Sequence, residues 1–323
     1  MGNNSYFAKR LVLGKFTINI LISLIIFLVF IGLIEAILRT THVFNAKTPW
    51  IKPDPILGFR YIPGSNDWHF FENDHPITGR INRYGWRDKE WLLNKPQHVY
   101  RVAVLGDSMV ASLDVESDRS FLALTEDQLN KSSQQYTFEL MNFGLSNISQ
   151  AEEYLILKND IIQFSPDIVL LFFFPGNDLH DMNRETASHV KRPFYNISKD
   201  GELLLDTSFT EGRYYVIRHG FNLVKQHSAL INLIGERYAS YKEYRRNKAV
   251  NLSGKHGKEH LPGYLSLCTT NPDPIFTKNY RLNKILIKEM AKYCKDRETN
   301  FMLVTVNIPD IYKPEDEKKI CIY

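Results

Sequence analysis

The sequence predicts an α/β fold, a parallel sheet with helices between its strands, preceded by one membrane-crossing helix. Three observations predict it. Runs at Val102–Leu105, Phe138–Asn142, Asp167–Phe174 and Phe301–Val306 read as strands, and they alternate with helical spacings at 119–131, 149–164 and 278–297. Such alternation is the pattern of βα units, and the third run is apolar throughout, as strands buried on both faces are. The first three strands end in glycine or polar signals: Gly106-Asp107-Ser108, Gly144, and Gly176-Asn177-Asp178. Finally, no charged residue occurs from Phe16 to Ile34.

The apolar stretch comes first in the chain. As a helix its length rises about 28 Å, close to a bilayer core. It runs into Ile34-Glu35-Ala36-Ile37-Leu38-Arg39, a poor cleavage site, so it reads as an uncleaved signal anchor over 16–38 rather than a removed signal peptide. Lys9, Arg10 and Lys15 place residues 1–15 on the cytoplasmic side by the positive-inside rule. The remaining chain is then expected outside the cytoplasmic membrane of a bacterium, as a single-pass protein. Residues 39–98 are rich in Pro, Gly, Asn and aromatics; Pro49, Pro53, Pro55 and Pro63 argue against regular helix. They read as an extended lead-in that packs on the main domain, 99–323. Residues 180–275 interrupt the alternation and read as an insertion over the carboxyl edge of the sheet, with a helical region at about 221–247.

Composition narrows the function classes. The 323 residues carry 40 basic and 36 acidic side chains, a net charge of +4, with no basic reading motif, which argues against a nucleic-acid partner. Three cysteines, Cys268, Cys294 and Cys321, show no C-x-x-C spacing and read as isolated thiols, although a Cys268–Cys294 bridge is compatible with an oxidising compartment. No metal or cofactor is expected. Asp178, His180 and Asp181 are too sparse a cluster for a metal and read as a polar loop.

In a parallel sheet the carboxyl ends of all strands share one edge, so the three strand ends converge in space. The chemistry they suggest is acyl transfer. Ser108 is the candidate nucleophile. The backbone N–H groups of Ser108 and Gly144 and the side-chain amide of Asn177 are candidate oxyanion donors. Gly106, Asp107, Gly176 and Asp178 shape the supporting turns.

In order and spacing, Ser108, Gly144 and Asn177 resemble the serine, glycine and asparagine of the SGNH (GDSL) hydrolases. The lead-in segments Asp54-Pro55-Ile56-Leu57-Gly58-Phe59 and Ile81-Asn82-Arg83-Tyr84-Gly85-Trp86-Arg87-Asp88-Lys89-Glu90 resemble a membrane-anchored bacterial subgroup of that family. The resemblance implies a three-layer, flavodoxin-like fold and a serine esterase or O-acyl transferase acting on ester-linked acyl groups. With the extracytoplasmic placement, the expected substrates are acylated envelope glycans or lipids. The family's fourth block, Asp-x-x-His, is missing: no histidine follows His260, and 17 residues follow Val306. The domain is therefore expected to be C-terminally truncated and impaired in hydrolysis. Each of His180, His189, His219, His227, His256 and His260 reads as a solvated or packing residue rather than a substitute base. The alternative is a membrane-anchored, non-catalytic protein that binds acylated glycans.

Overall fold

The computed structural model describes residues 3–41, 50–66, 68–70, 77–235, 237–238, 241, 245 and 271–306. Cys268, Cys321, His256, His260, Pro49 and the charged tail from Lys313 to Lys319 lie outside them. The chain divides into two compact units, 1–49 with 220–253, and 50–219 with 254–323.

In the first unit, α1 (Asn3–Thr41) is one continuous helix. Its stretch Phe16–Thr40 is long and apolar enough to cross a membrane, and residues 16–30 are exposed along it. The same unit holds the end of α6 (Arg213–His227) and a helical segment over 229–235. The 180–275 insertion is thus divided between the two units.

The second unit is built on a four-stranded parallel sheet. Its strands are β5 (Val99–Gly106), β6 (Thr137–Gly144), β7 (Ile168–Phe173) and β10 (Asn300–Thr305). They lie in the order β10-β7-β5-β6, which is 2-1-3-4 counted along the chain from the β6 edge, the doubly wound order that resemblance implied. Alternate residues face opposite sides. Ala103, Leu105, Met141, Phe143, Val169 and Leu171 join one core, with Leu155 of α4 (Gln150–Ile156) and Met290 of α7 (Pro274–Lys295). Val102, Val104 and Leu140 join the other, with Val110 of α2 (Ser108–Ala111) and Leu122 of α3 (Phe121–Ser132). Helices cover both faces, giving three layers.

Local chemistry sets the helix starts. Ser120 Oγ accepts the Ala123 N–H at 3.2 Å to open α3. Asp273 accepts the Ile275 N–H at 2.7 Å ahead of Pro274 at the first position of α7. Glu152 reaches back to the Ser149 N–H at 3.2 Å at the start of α4. The spacing over 149–164 predicts one helix. Instead α4 ends at Ile156, and the chain continues as a wider turn, Leu157–Ile161, then a tighter one, Ile162–Phe164. Apolar spacing alone cannot register such a change of pitch, because Leu157, Ile161 and Phe164 stay buried through it.

The lead-in is part of this core. A hairpin of β1 (Ile51–Asp54) and β2 (Gly58–Tyr61) turns through Asp54, whose Oδ1 accepts the N–H of Ile56 and Leu57 at 2.9 and 2.8 Å. Strands β3 (Trp68–Phe70) and β4 (Ile77–Gly79) form a second short pair. Leu57, Tyr61, Ile81, Trp86 and Trp91 are buried with Phe143 and Phe164. A third hairpin, β8 (Phe194–Ile197) with β9 (Leu203–Asp206), lies within residues read from sequence as loop. The short α5 (Pro175–His180) follows β7. Cys294 is a buried free thiol, pushed up to about 11 by burial.

Candidate active site

Gly106 and Gly144 stand side by side at the carboxyl ends of the paired strands β5 and β6. Both are places where a side chain would not fit. A Cβ on Gly144 would lie 2.1 Å from the Ala111 backbone nitrogen, and one on Gly106 would lie 2.5 Å from the Val110 side chain. Their bareness lets α2 settle directly onto the strand ends. Ser108 is the first residue of α2, it is exposed, and no described hydrogen bond engages its hydroxyl. Asp107 sits just before it, buried, and its Oδ1 caps α2 by accepting the Met109 N–H at 3.0 Å.

Asn177 arrives from the turn after β7 and lies in α5. Its Nδ2 donates to Asp107 Oδ2 at 2.7 Å, which joins the ends of the first and third parallel strands. That is the position where the strand order reverses, the usual ligand site of an open α/β sheet. The second hydrogen of the same amide is not used by any described bond. Ser108 and Asn177 therefore share one locus, with Asp107 between them.

Gly144 departs from expectation. Its N–H donates to Asn142 Oδ1 at 2.8 Å, so it is occupied inside the protein rather than held bare for an oxyanion. Its glycine character answers to the Ala111 backbone instead. The same Asn142 donates from Nδ2 to the Val110 carbonyl at 3.0 Å and from its backbone to Asp88 Oδ2 at 2.7 Å. Arg87 donates to the Ser112 and Ala111 carbonyls at 2.5 and 3.3 Å and also to that of Val115. These are carbonyls at and beyond the end of α2, where a cation is favourable. Arg87, Asp88 and Asn142 thus hold the serine helix, a role that composition and spacing did not reveal. The signal was present in the Arg87-Asp88 pair of the lead-in, but its partners lie 24 or more positions away.

Beneath the site lies a set of buried carboxyls. Asp178 accepts the Phe174 N–H at 2.7 Å, and Glu153 accepts from Gln150 Nε2 at 3.0 Å. One oxygen of each is buried with no partner among the described residues. Burial, then the charges of Asp178 and Asp107, pushes Glu153 well above the carboxylate range; burial and Asp107 do the same to Asp178. The neighbouring Arg192 is fully buried and paired, at 2.6 Å to Glu152 and 2.7 Å to Asp181.

The described histidines do not bond to Ser108. His180 is exposed and meets Asp181 Oδ1 at 3.2 Å. His189 bonds the Asn147 backbone, its Nε2 is buried without a described partner, and burial followed by the Arg192 charge lowers its pKa. His219 stacks on Tyr215, and His227 ends α6. No group of three or more metal-ligating side chains occurs among the described residues. A cavity of about 430 Å³ lies away from Ser108, lined by Arg184, Phe194, Tyr195, Asp206, Ile275 and Lys278 among others.

No family model matches the sequence, and no curated protein matches it. Among solved structures it is similar to TesA, at 22% identity over 22% of this chain and 38% of that one, with a TM-score of 0.21. It is also similar to AlinE4, an SGNH-hydrolase family esterase, at 18% identity over 24% of this chain and 41% of that one, with a TM-score of 0.20. A third is a lipolytic protein of the G-D-S-L family from Desulfitobacterium hafniense DCB-2, at 13% identity over 63% of this chain and 76% of that one, with a TM-score of 0.23. The chain thus spans about two fifths of the length of the first two.

Proposed function

We propose that this chain is a membrane-anchored serine ester hydrolase or acyl transferase of SGNH type. The observation that carries the reading is the shared locus of Ser108 and Asn177 at the switch point, tied by the Asn177–Asp107 bond of 2.7 Å. In the proposed reaction Ser108 Oγ attacks the carbonyl carbon of an ester. The new C–O bond forms as the carbonyl π pair moves onto oxygen. The Ser108 N–H and the second Asn177 amide hydrogen stabilise that oxyanion. Ser108 passes its proton to water or to added imidazole, and as the ester C–O bond breaks that carrier protonates the departing alkoxide. Water, or a sugar hydroxyl in transfer, releases the acyl group from Ser108.

A serine hydroxyl is a weak nucleophile without an adjacent base. None of the described histidines is bonded to Ser108, so turnover by residues 1–323 alone is proposed to be slow. Ester-linked acyl groups on envelope glycans or lipids are the proposed substrates, and the proposed placement of the catalytic unit is outside the cytoplasmic membrane.

The test is hydrolysis of an aryl acetate by the full chain with and without added imidazole. Slow, Ser108-dependent turnover that imidazole accelerates supports an acyl-transfer site lacking its base. Fast turnover without imidazole overturns the impairment. The unbonded Ser108 hydroxyl also fits a second reading, a non-catalytic binder of acylated glycans. Glycan binding that survives Ser108→Ala, with no turnover at any imidazole concentration, favours that reading over the first.

A further inference from the structure

The end of α1 is built as a clamp. Glu35 and Arg39 are one turn apart and paired at 2.7 Å. Glu35 accepts the backbone N–H of Ala229 and Leu230 at 2.8 and 3.0 Å and the Ser228 hydroxyl at 2.9 Å. It therefore caps the start of the 229–235 helical segment. Arg39 donates to the His227 carbonyl at 2.8 Å, at the end of α6. An acid at one helix start and a base at the preceding helix end each complement the helix dipole. Ile34 and Leu38 pack on Ala229, Leu230 and Leu233 around the same bend.

This clamp fixes the depth of the bend. Phe16–Ile34 carries no charge and rises about 28 Å as a helix, so Glu35 falls at the hydrocarbon boundary. Ser228 is pinned there. Val224 and Phe221 lie within about 9 Å of His227 along α6, and Ile234 within about 8 Å of Ala229, at the helical rise per residue.

The side chains at this depth are apolar and open. Phe221, Leu223 and Val224 are exposed on α6, and Ile234, Tyr238 and Tyr241 are exposed beyond the bend. Ile234, Tyr238 and Tyr241 recur in the sequence at intervals of four and three. Residues 236–248 carry five basic side chains, Arg237, Lys242, Arg245, Arg246 and Lys248, against two acidic ones, Glu236 and Glu243. Apolar and tyrosine side chains beside a basic run suit the headgroup–acyl boundary of an anionic bilayer.

We infer that residues 220–235 form an interfacial hairpin, clamped to the membrane helix by Glu35 and Arg39 and seated on the surface of an anionic bilayer. The inference rests on the reading of α1 as a membrane span. It assigns part of the insertion to holding the protein at the lipid surface.

The full chain, reconstituted in phosphatidylcholine vesicles containing phosphatidylglycerol and a diazirine-acyl lipid, is irradiated, and its adducts are mapped by mass spectrometry. Adducts on both α1 and 221–235 are expected, with those on 221–235 falling about tenfold or more when phosphatidylglycerol is left out. A double variant, Glu35→Gln with Arg39→Gln, is expected to lose the hairpin adducts and keep those on α1. Adducts on α1 alone overturn the hairpin while leaving the span intact. Absence of adducts on α1 overturns the span reading and the inference with it. Cross-links from 221–235 to a second copy, without lipid adducts there, assign the face to self-association and also overturn it.

Discussion

The two ends of strand β5 treat buried charge in opposite ways. At the amino end Arg101 is fully buried, with four guanidinium hydrogen bonds. It donates to Glu139 at 2.6 Å, to the Phe164 and Leu93 carbonyls at 2.6 and 3.1 Å, and to the Leu92 carbonyl at 2.5 Å. Its own N–H goes to Asp167 at 2.7 Å. At the carboxyl end Asp107, Glu153 and Asp178 lie together, and buried oxygens of Glu153, Asp178 and Asn177 have no described partner. One end is arranged for stability. The other keeps unspent polar capacity, as sites that must meet a ligand do.

The sharpest break between the two is expected from Ser108→Ala. Ester turnover in the presence of imidazole should fall about a thousandfold or more, while thermal stability stays within about 0.5 kcal/mol, since Ser108 is exposed. Arg101→Met should do the reverse. It strands Glu139 and three carbonyls, and chemical denaturation should register a loss of about 3–5 kcal/mol with the remaining folded fraction still reacting through Ser108. Asn177→Ala sits between them. Removing the amide should lower turnover about a hundred- to thousandfold, read as kcat with little change in KM. A loss confined to KM would show that Asn177 binds the substrate rather than the transition state.

A further effect concerns pH. Burial pushes Asp88 up to about 7, although it accepts the Asn142 and Lys89 N–H groups. A carboxyl raised in the folded state makes that state bind more protons than the unfolded chain. Stability should therefore fall as pH rises from about 4 through 7, with Glu153 and Asp178 adding to the fall in the same direction. Asp88→Asn should flatten the profile over that window in denaturation curves at several pH values. An unchanged slope would mean that Asp88 is charged when folded.

The parallel sheet was legible because its signals are local. β5, β6, β7 and β10 are apolar runs, and each of the first three ends in glycine or a polar turn. The same signals marked Ser108 and Asn177. What the sequence concealed was pairing at a distance. Gly144 is a glycine for the sake of the Ala111 backbone, a contact made by three-dimensional packing and not by motif. The hairpin β8–β9 escaped notice because Phe194–Ile197 and Leu203–Asp206 are four residues each, too short for a periodic signal, and they gain their order from pairing with each other. In the sequence Glu35 reads only as part of a poor cleavage site; its partners at 228–230 are nearly 200 positions away.

The grip of Arg87 and Asp88 on the serine helix bears on where the protein can be cut. A fragment beginning at residue 99 would retain every strand and every motif residue of the sheet. It would nevertheless lose the guanidinium that holds the end of α2 and the carboxylate that holds Asn142. It would also lose Trp86 and Trp91, which fill the core beside Phe143. A soluble form that keeps its chemistry must start upstream of Trp50. Cleavage within residues 50–98 is therefore expected to loosen α2 while leaving Ser108 itself intact.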